Sequence, residues 1–148
     1  MRTFRFIAAG SLVTWAAALA LSAGAAVEGA AVQATTNSGI YTKDQADGAK
    51  AQYQKICADC HAFTVAAKKK PKDLPLGDEP FFEAWTGRPV ADLINVIHLT
   101  MPNDGSAVVS EKEAVDLVAY MLQQNGFPAG SKPLTKETAK AVVERPRK

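Results

Sequence analysis

The chain has 148 residues, 47% of them hydrophobic and 22% charged, and a formal net charge of +2. That length suits one domain, and the composition excludes the fibrous and disordered classes. So small a charge, with no Lys/Arg stripe interleaved with aromatics, offers no footing for nucleic-acid binding.

The first third reads as a leader rather than as fold. Arg2 and Arg5 make a cationic start, Phe6 to Leu21 is an apolar run without a charge, and small residues follow. This is the layout of a cleavable secretory signal. It implies that the mature protein is exported. Two cleavage points fit: after Ala25, giving a signal over 1–25, or as late as Ala34. The apolar run is short for a bilayer span, so membrane attachment arises only if the leader is kept as an anchor. Losing Arg2 and Arg5 brings the chain close to neutral. Residues 26–40 are small and polar and read as a flexible linker.

The main domain is expected over 41–127. Its first helix runs from Lys43 to Ile56. Thr42-Lys43-Asp44-Gln45 has the form of a capping box, and Ala46, Ala49, Tyr53 and Ile56 draw one apolar stripe. Phe63 to Gly77 has no period and carries Lys68, Lys69, Lys70 and Lys72 among prolines, so it reads as a loop. The lysine run is either a solvated face or a docking patch for an acidic partner. A short helix is expected over Pro80 to Trp85. The next runs from Pro89 through Leu99, with Val90, Leu93, Ile94 and Ile97 on one face and Pro102 enforcing its end. Met101 to Val109 is loop. Ser110-Glu111-Lys112-Glu113 is a second capping box, and the helix after it buries Ala114, Leu117, Val118, Met121 and Leu122 before Gly126 stops it. Residues 128–148 read as a basic extended tail, with a weak helix from Lys136 to Val143. With no strand alternation and no repeat, the fold class is all-α.

Both cysteines fall in Cys57-Ala58-Asp59-Cys60-His61, the Cys-x-x-Cys-His pattern of c-type haem attachment. Two thiols at this spacing can each add across one of two neighbouring haem vinyl groups. The adjacent imidazole then lies under the iron. The competing readings are weaker. A redox dithiol wants a βαβ context, and a structural zinc site wants four ligands at spacings that Cys57, Cys60, His61 and His98 do not have. A structural disulfide has no need of the histidine. For the sixth iron position the candidates are Met101, Met121 and His98. Met121 belongs to an apolar helical stripe and His98 lies off the stripe of its own helix. Met101 sits in a loop against a rigid proline, so it is the favoured ligand.

These residues, with Tyr53 four before Cys57, Pro75-Leu76-Gly77, Phe81 with Trp85, Gly87-Arg88, Thr100-Met101-Pro102, Val118 to Leu122 and Asn125 to Gly130, give the chain a resemblance to a known family. It resembles the small bacterial class I monohaem cytochromes c, especially periplasmic ones that accompany quinoprotein dehydrogenases. The likeness spans Tyr41 to about Leu134. It implies helices wrapped around one covalently bound haem c, with His61 as proximal and Met101 as distal ligand. It also implies that the Pro75 carbonyl accepts from the His61 ring, that Trp85 and Arg88 lie near the haem propionates, and that Tyr53 and Tyr120 meet where the first and last helices cross. The family's usual glycine at that crossing is Ala49 here.

The function expected from this is single-electron transfer between protein partners, from a dehydrogenase towards an oxidase or another cytochrome. No nucleophile–base pair or paired carboxylates suggest an enzyme. The alternative is a haem enzyme or sensor whose iron keeps an open sixth site for peroxide or a gas.

Overall fold

The structure, a computed structural model, describes residues 33–69 and 74–147. The expected leader, the start of the linker, Lys70 and Lys72 lie outside them. Within the described residues the chain forms four α-helices and no strand: α1 Lys43–Ile56, α2 Asp78–Trp85, α3 Val90–Thr100 and α4 Glu111–Gln124. Short 3-10 turns stand at Thr36–Ser38, Val65–Ala67 and Thr138–Lys140.

The core is built around α4, against which both α1 and α3 pack. Its apolar residues recur at helical spacing, and Ala114, Leu117, Val118, Met121 and Leu122 are all buried. The helix begins at a complete capping box. Ser110 Oγ accepts from the Glu113 N–H, and the Glu113 carboxylate accepts from the Ser110 N–H. α1 presents Ala46, Ala49 and Tyr53 to it, all buried. Ala49 is small enough to keep the crossing close, and the rings of Tyr53 and Tyr120 meet there with centroids 5.2 Å apart.

Only half of the α1 capping box forms. Thr42 Oγ1 accepts from the Gln45 N–H at 3.3 Å. The Gln45 side chain does not reach back to Thr42. It donates to Asp116 on α4 and to the Leu134 carbonyl, each at 2.9 Å, and accepts from the Leu134 N–H at 2.8 Å. Satisfying a backbone pair in the returning tail outweighs a local cap that water can replace.

α2 starts two residues before the expected Pro80. Proline is tolerated there because first-turn amides have no intrahelical acceptor. Asp78 opens the helix at φ +56°, and its carboxylate accepts from the Val65 N–H at 2.8 Å. That bond ties the 3-10 turn over Val65–Ala67 to α2. Pro89 is the N-cap of α3 rather than its first helical residue.

The ends of the chain differ most from expectation. The tail is neither free nor helical over 136–143. Leu134, Ala139, Ala141 and Val143 are buried, and the helical part shrinks to the single turn Thr138–Lys140. Val142 bridges Thr35 on one side and Pro89 on the other. The linker is likewise pinned from residue 34 onward. The Ala34 carbonyl accepts from the Val142 N–H, and the buried Thr36 Oγ1 accepts from the Glu144 N–H. Each segment carries one 3-10 turn, and they meet where the chain is extended, at the Thr35–Val142 bridge. Gly130 donates its N–H to the Tyr41 carbonyl, and a side chain on it would collide with the Gly39 backbone.

Candidate functional site

The five-residue motif begins where α1 ends. Cys57 is the helix C-cap, its N–H bonded to the Tyr53 carbonyl at 2.9 Å. A turn follows in which the Cys60 and His61 amides both donate to the Cys57 carbonyl, at 3.1 and 2.9 Å. The two cysteines are free thiols, Cys57 half-buried and Cys60 exposed. Burial pushes the Cys57 thiol up to about 11. A thiol held neutral at physiological pH is poorly suited to the thiolate chemistry of a redox dithiol. His98, the fourth residue the zinc reading needs, is turned away to the Val109 carbonyl, and among the described residues no group of three or more His, Cys, Asp and Glu is placed to hold a metal ion.

His61 is held on two sides. The Tyr53 hydroxyl donates to its carbonyl at 2.7 Å, and its Nδ1 lies 2.9 Å from the Leu74 carbonyl. A carbonyl only accepts, so Nδ1 carries the proton and Nε2 is left with a free lone pair. The resemblance had assigned this carbonyl to Pro75, and the structure moves it one residue earlier. The reason lies in the backbone. The Leu76 N–H donates to the Ala62 carbonyl at 2.7 Å, so across the trans Pro75–Leu76 peptide the Pro75 carbonyl points away from the 61–62 segment. Pro75 itself stays in the wall of the adjoining cleft.

That cleft is the chemical centre of the molecule. One part, a cavity of about 270 Å³, is walled by α2 and α3 through Phe81, Ala84, Trp85, Leu93 and Val96. A second part, about 480 Å³, opens past Cys60 towards the loop at Pro102 and Asn103. Cys57, His61, Ile97, Met101 and Leu117 line both parts, so the two form one continuous cleft. Met121 lines the first part and is buried on α4, as its stripe predicts. His98 lines neither. Its Nδ1 donates to the Val109 carbonyl at 2.9 Å.

Trp85 is half-buried on the cleft wall, its ring centroid 6.5 Å from that of Phe81. Arg88 lies over the Trp85 ring at 4.4 Å and bonds Asp92 through Nε and Nη2 at 3.2 and 3.0 Å. Trp85 thus reaches the cleft directly, while Arg88 stands behind it with its charge already partnered. Of the lysine run, Lys69 lies 3.4 Å from the Asp59 carboxylate beside the motif.

The residues present fit a haem. Two free thiols sit at one rim, an imidazole offers its outer nitrogen, a thioether lines the same space, and the walls of the first part, from Phe81 to Val96, are apolar. An all-α domain with this motif and this cleft is a class I monohaem c-type cytochrome, with haem c bound covalently. The family model described as cytochrome c oxidase, cbb3-type, subunit III matches residues 44–121, more than half of the chain, and the chain belongs to that family. No curated protein and no solved structure matches it.

When bound, the haem supplies a one-electron couple. The chain's own residues decide how it is held. Cys57 and Cys60 would carry the two thioether links. The Leu74 carbonyl fixes the His61 tautomer and turns the ring, as outer-shell partners of metal-bound histidines do. The apolar walls exclude water, which favours the less charged ferrous state. Sequence reasoning did not identify Leu74, because a backbone acceptor leaves no residue signature.

Proposed function

We propose that the chain is a periplasmic single-electron carrier whose haem iron is held by His61 and Met101. One observation carries this reading. Met101 lines the same apolar cleft as His61 and Cys57, while the rival ligand His98 is bonded to a backbone carbonyl outside it. An iron with both axial positions filled needs no substrate and changes oxidation state with little rearrangement. The soft thioether also raises the potential. The leader-like start of the sequence supports export. The resemblance to cytochromes that accompany quinoprotein dehydrogenases supports such a dehydrogenase as donor. An oxidase as acceptor accords with the description of the family.

The test is the optical spectrum of the haem-loaded protein, oxidised and reduced, for wild type and Met101→Ala. Oxidised haem with thioether ligation has a weak band at the red end of the visible spectrum. Its presence in wild type and loss in the mutant supports the reading. A wild type without that band, whose reduced form binds carbon monoxide readily at neutral pH, would instead mark an open-site haem enzyme or sensor.

A further inference from the structure

We propose that His98 is a positioning residue for the loop that presents Met101 to the haem. The inference rests on the ligation reading above and concerns how the ligand is held there. Met101 is the C-cap of α3, and the chain then crosses to α4 through residues 102–109. Two hydrogen bonds shape this loop from within. The Gly105 N–H donates to the Pro102 carbonyl at 3.1 Å, and the Ser106 N–H donates to Asp104 Oδ1 at 2.9 Å. Neither ties it to the rest of the molecule. Among the described residues, one hydrogen bond joins residues 102–109 to a helix: His98 Nδ1–H to the Val109 carbonyl.

The surroundings leave that bond much to do. Val109 is buried and lines the cleft beside Met101, but its neighbour Val108 is 94% exposed and Leu99 is 72% exposed. Within the loop only Val109 is fully buried, while Pro102 and Ala107 are half-buried against the cleft, so apolar packing holds the loop weakly away from Val109. His98 lies on the last turn of α3, three residues before Met101. Its imidazole joins the helix that launches the loop to the point where the loop rejoins the core. Closing a loop at its base narrows the positions its first residue can explore. The side chain thereby preorganises Met101 without touching the metal. Because the acceptor is a carbonyl, the bond needs a proton on Nδ1. The Nδ1–H tautomer and the imidazolium both supply it.

The experiment compares haem-loaded wild type, His98→Ala, His98→Asn and His98→Gln. It follows the red-end band with temperature and the rate of carbon monoxide binding to the reduced protein. In His98→Ala the band should disappear well below the unfolding transition. Carbon monoxide should bind about fivefold faster, as expected for loss of one net hydrogen bond holding the ligand. An asparagine side-chain amide can stand where Nδ1 stands, so His98→Asn should recover most of the wild-type behaviour, and His98→Gln should not. If His98→Ala fails to mature, the contrast between the His98→Asn and His98→Gln variants carries the test. Wild-type band stability and carbon monoxide rate in His98→Ala, or equal behaviour of the other two variants, overturns the proposal alone. A wild type lacking the band overturns the Met101 ligation reading, and this proposal with it.

Discussion

The Tyr53 hydroxyl donates to the His61 carbonyl at 2.7 Å, so a side chain buried at the α1–α4 crossing also holds the end of the haem-attachment motif. Tyr53 is stacked on Phe63 at 4.9 Å and meets Tyr120. Its ring is thus immobilised from both sides before its hydroxyl acts. Tyr53→Phe keeps the rings and removes the bond, leaving the His61 carbonyl without this donor. The expected loss is about 1–2 kcal/mol of stability. Denaturant unfolding of the haem-loaded variant beside wild type measures it, and an unchanged midpoint would show that water replaces the hydroxyl.

The same crossing predicts the alkaline behaviour. Burial raises the ionisation of Tyr41, Tyr53 and Tyr120 above the ordinary 10.0. The folded state therefore holds these protons at pH values where the unfolded chain releases them. Their contribution to stability is complete below pH 10 and falls as pH rises towards the folded values. Unfolding free energy should be flat up to about pH 10 from these groups and decline beyond it. Tyr53→Phe should have a shallower decline. Equal slopes in the two proteins would mean that another group governs the alkaline limb.

How much of this could be read from residues alone divides along physical lines. α4 was legible because its stripe and its capping box agree, and local and tertiary preferences then point the same way. The bounds of α1 were legible too, but Gln45 shows the limit. Its capping pattern is genuine, yet the side chain is taken by Leu134, 89 positions away. The tail was misread for a related reason. Ala139, Ala141 and Val143 alternate with exposed or half-exposed residues, a period of two, which the weak helical pattern over 136–143 obscured. In the site, Cys57, Cys60, His61 and Met101 could be named because their chemistry is in their side chains. The Leu74 carbonyl and the His98–Val109 bond depend on backbone direction, and composition carries no trace of it.

Gly77 should be intolerant of substitution although its φ of −151° suits any residue. The constraint is space. A Cβ there would overlap the Phe63 carbonyl oxygen and lie 2.8 Å from Asn125 Oδ1. Asn125 is itself committed, donating to the Leu76 and Met121 carbonyls at 2.7 and 2.8 Å. Gly77→Ala must therefore displace the 74–77 segment, and with it the Leu74 carbonyl that orients His61. Overpacking of this kind costs about 1–3 kcal/mol. The effect should reach the haem as a raised reduction potential, since an imidazole that loses its Leu74 acceptor is a less basic ligand and stabilises ferric iron less. A potentiometric titration checks this. A destabilised variant with an unaltered potential would separate the packing of Gly77 from the orientation of His61.

The attachment of the tail, which lies beyond the stretch that the family model matches, makes the last prediction. Gln45 is the only side chain in α1 among those described that bonds both backbone groups of a tail residue, the Leu134 N–H and carbonyl. Gln45→Ala strands both. Leu134→Ala removes instead a side chain only 2% exposed and should cost about 2–5 kcal/mol by cavity formation. Gln45→Ala should cost about 2 kcal/mol, from a buried backbone pair left partly unsatisfied. The two act on one anchor point, so once either has loosened the tail the other has less to remove. The double variant should be more stable than the sum of the single losses implies, with a coupling of about 1 kcal/mol in a double-mutant cycle. Strict additivity would mean that the tail stays docked without Gln45, held by its other contacts, among them Gly130 on Tyr41, Glu144 on Thr36 and the buried Val143.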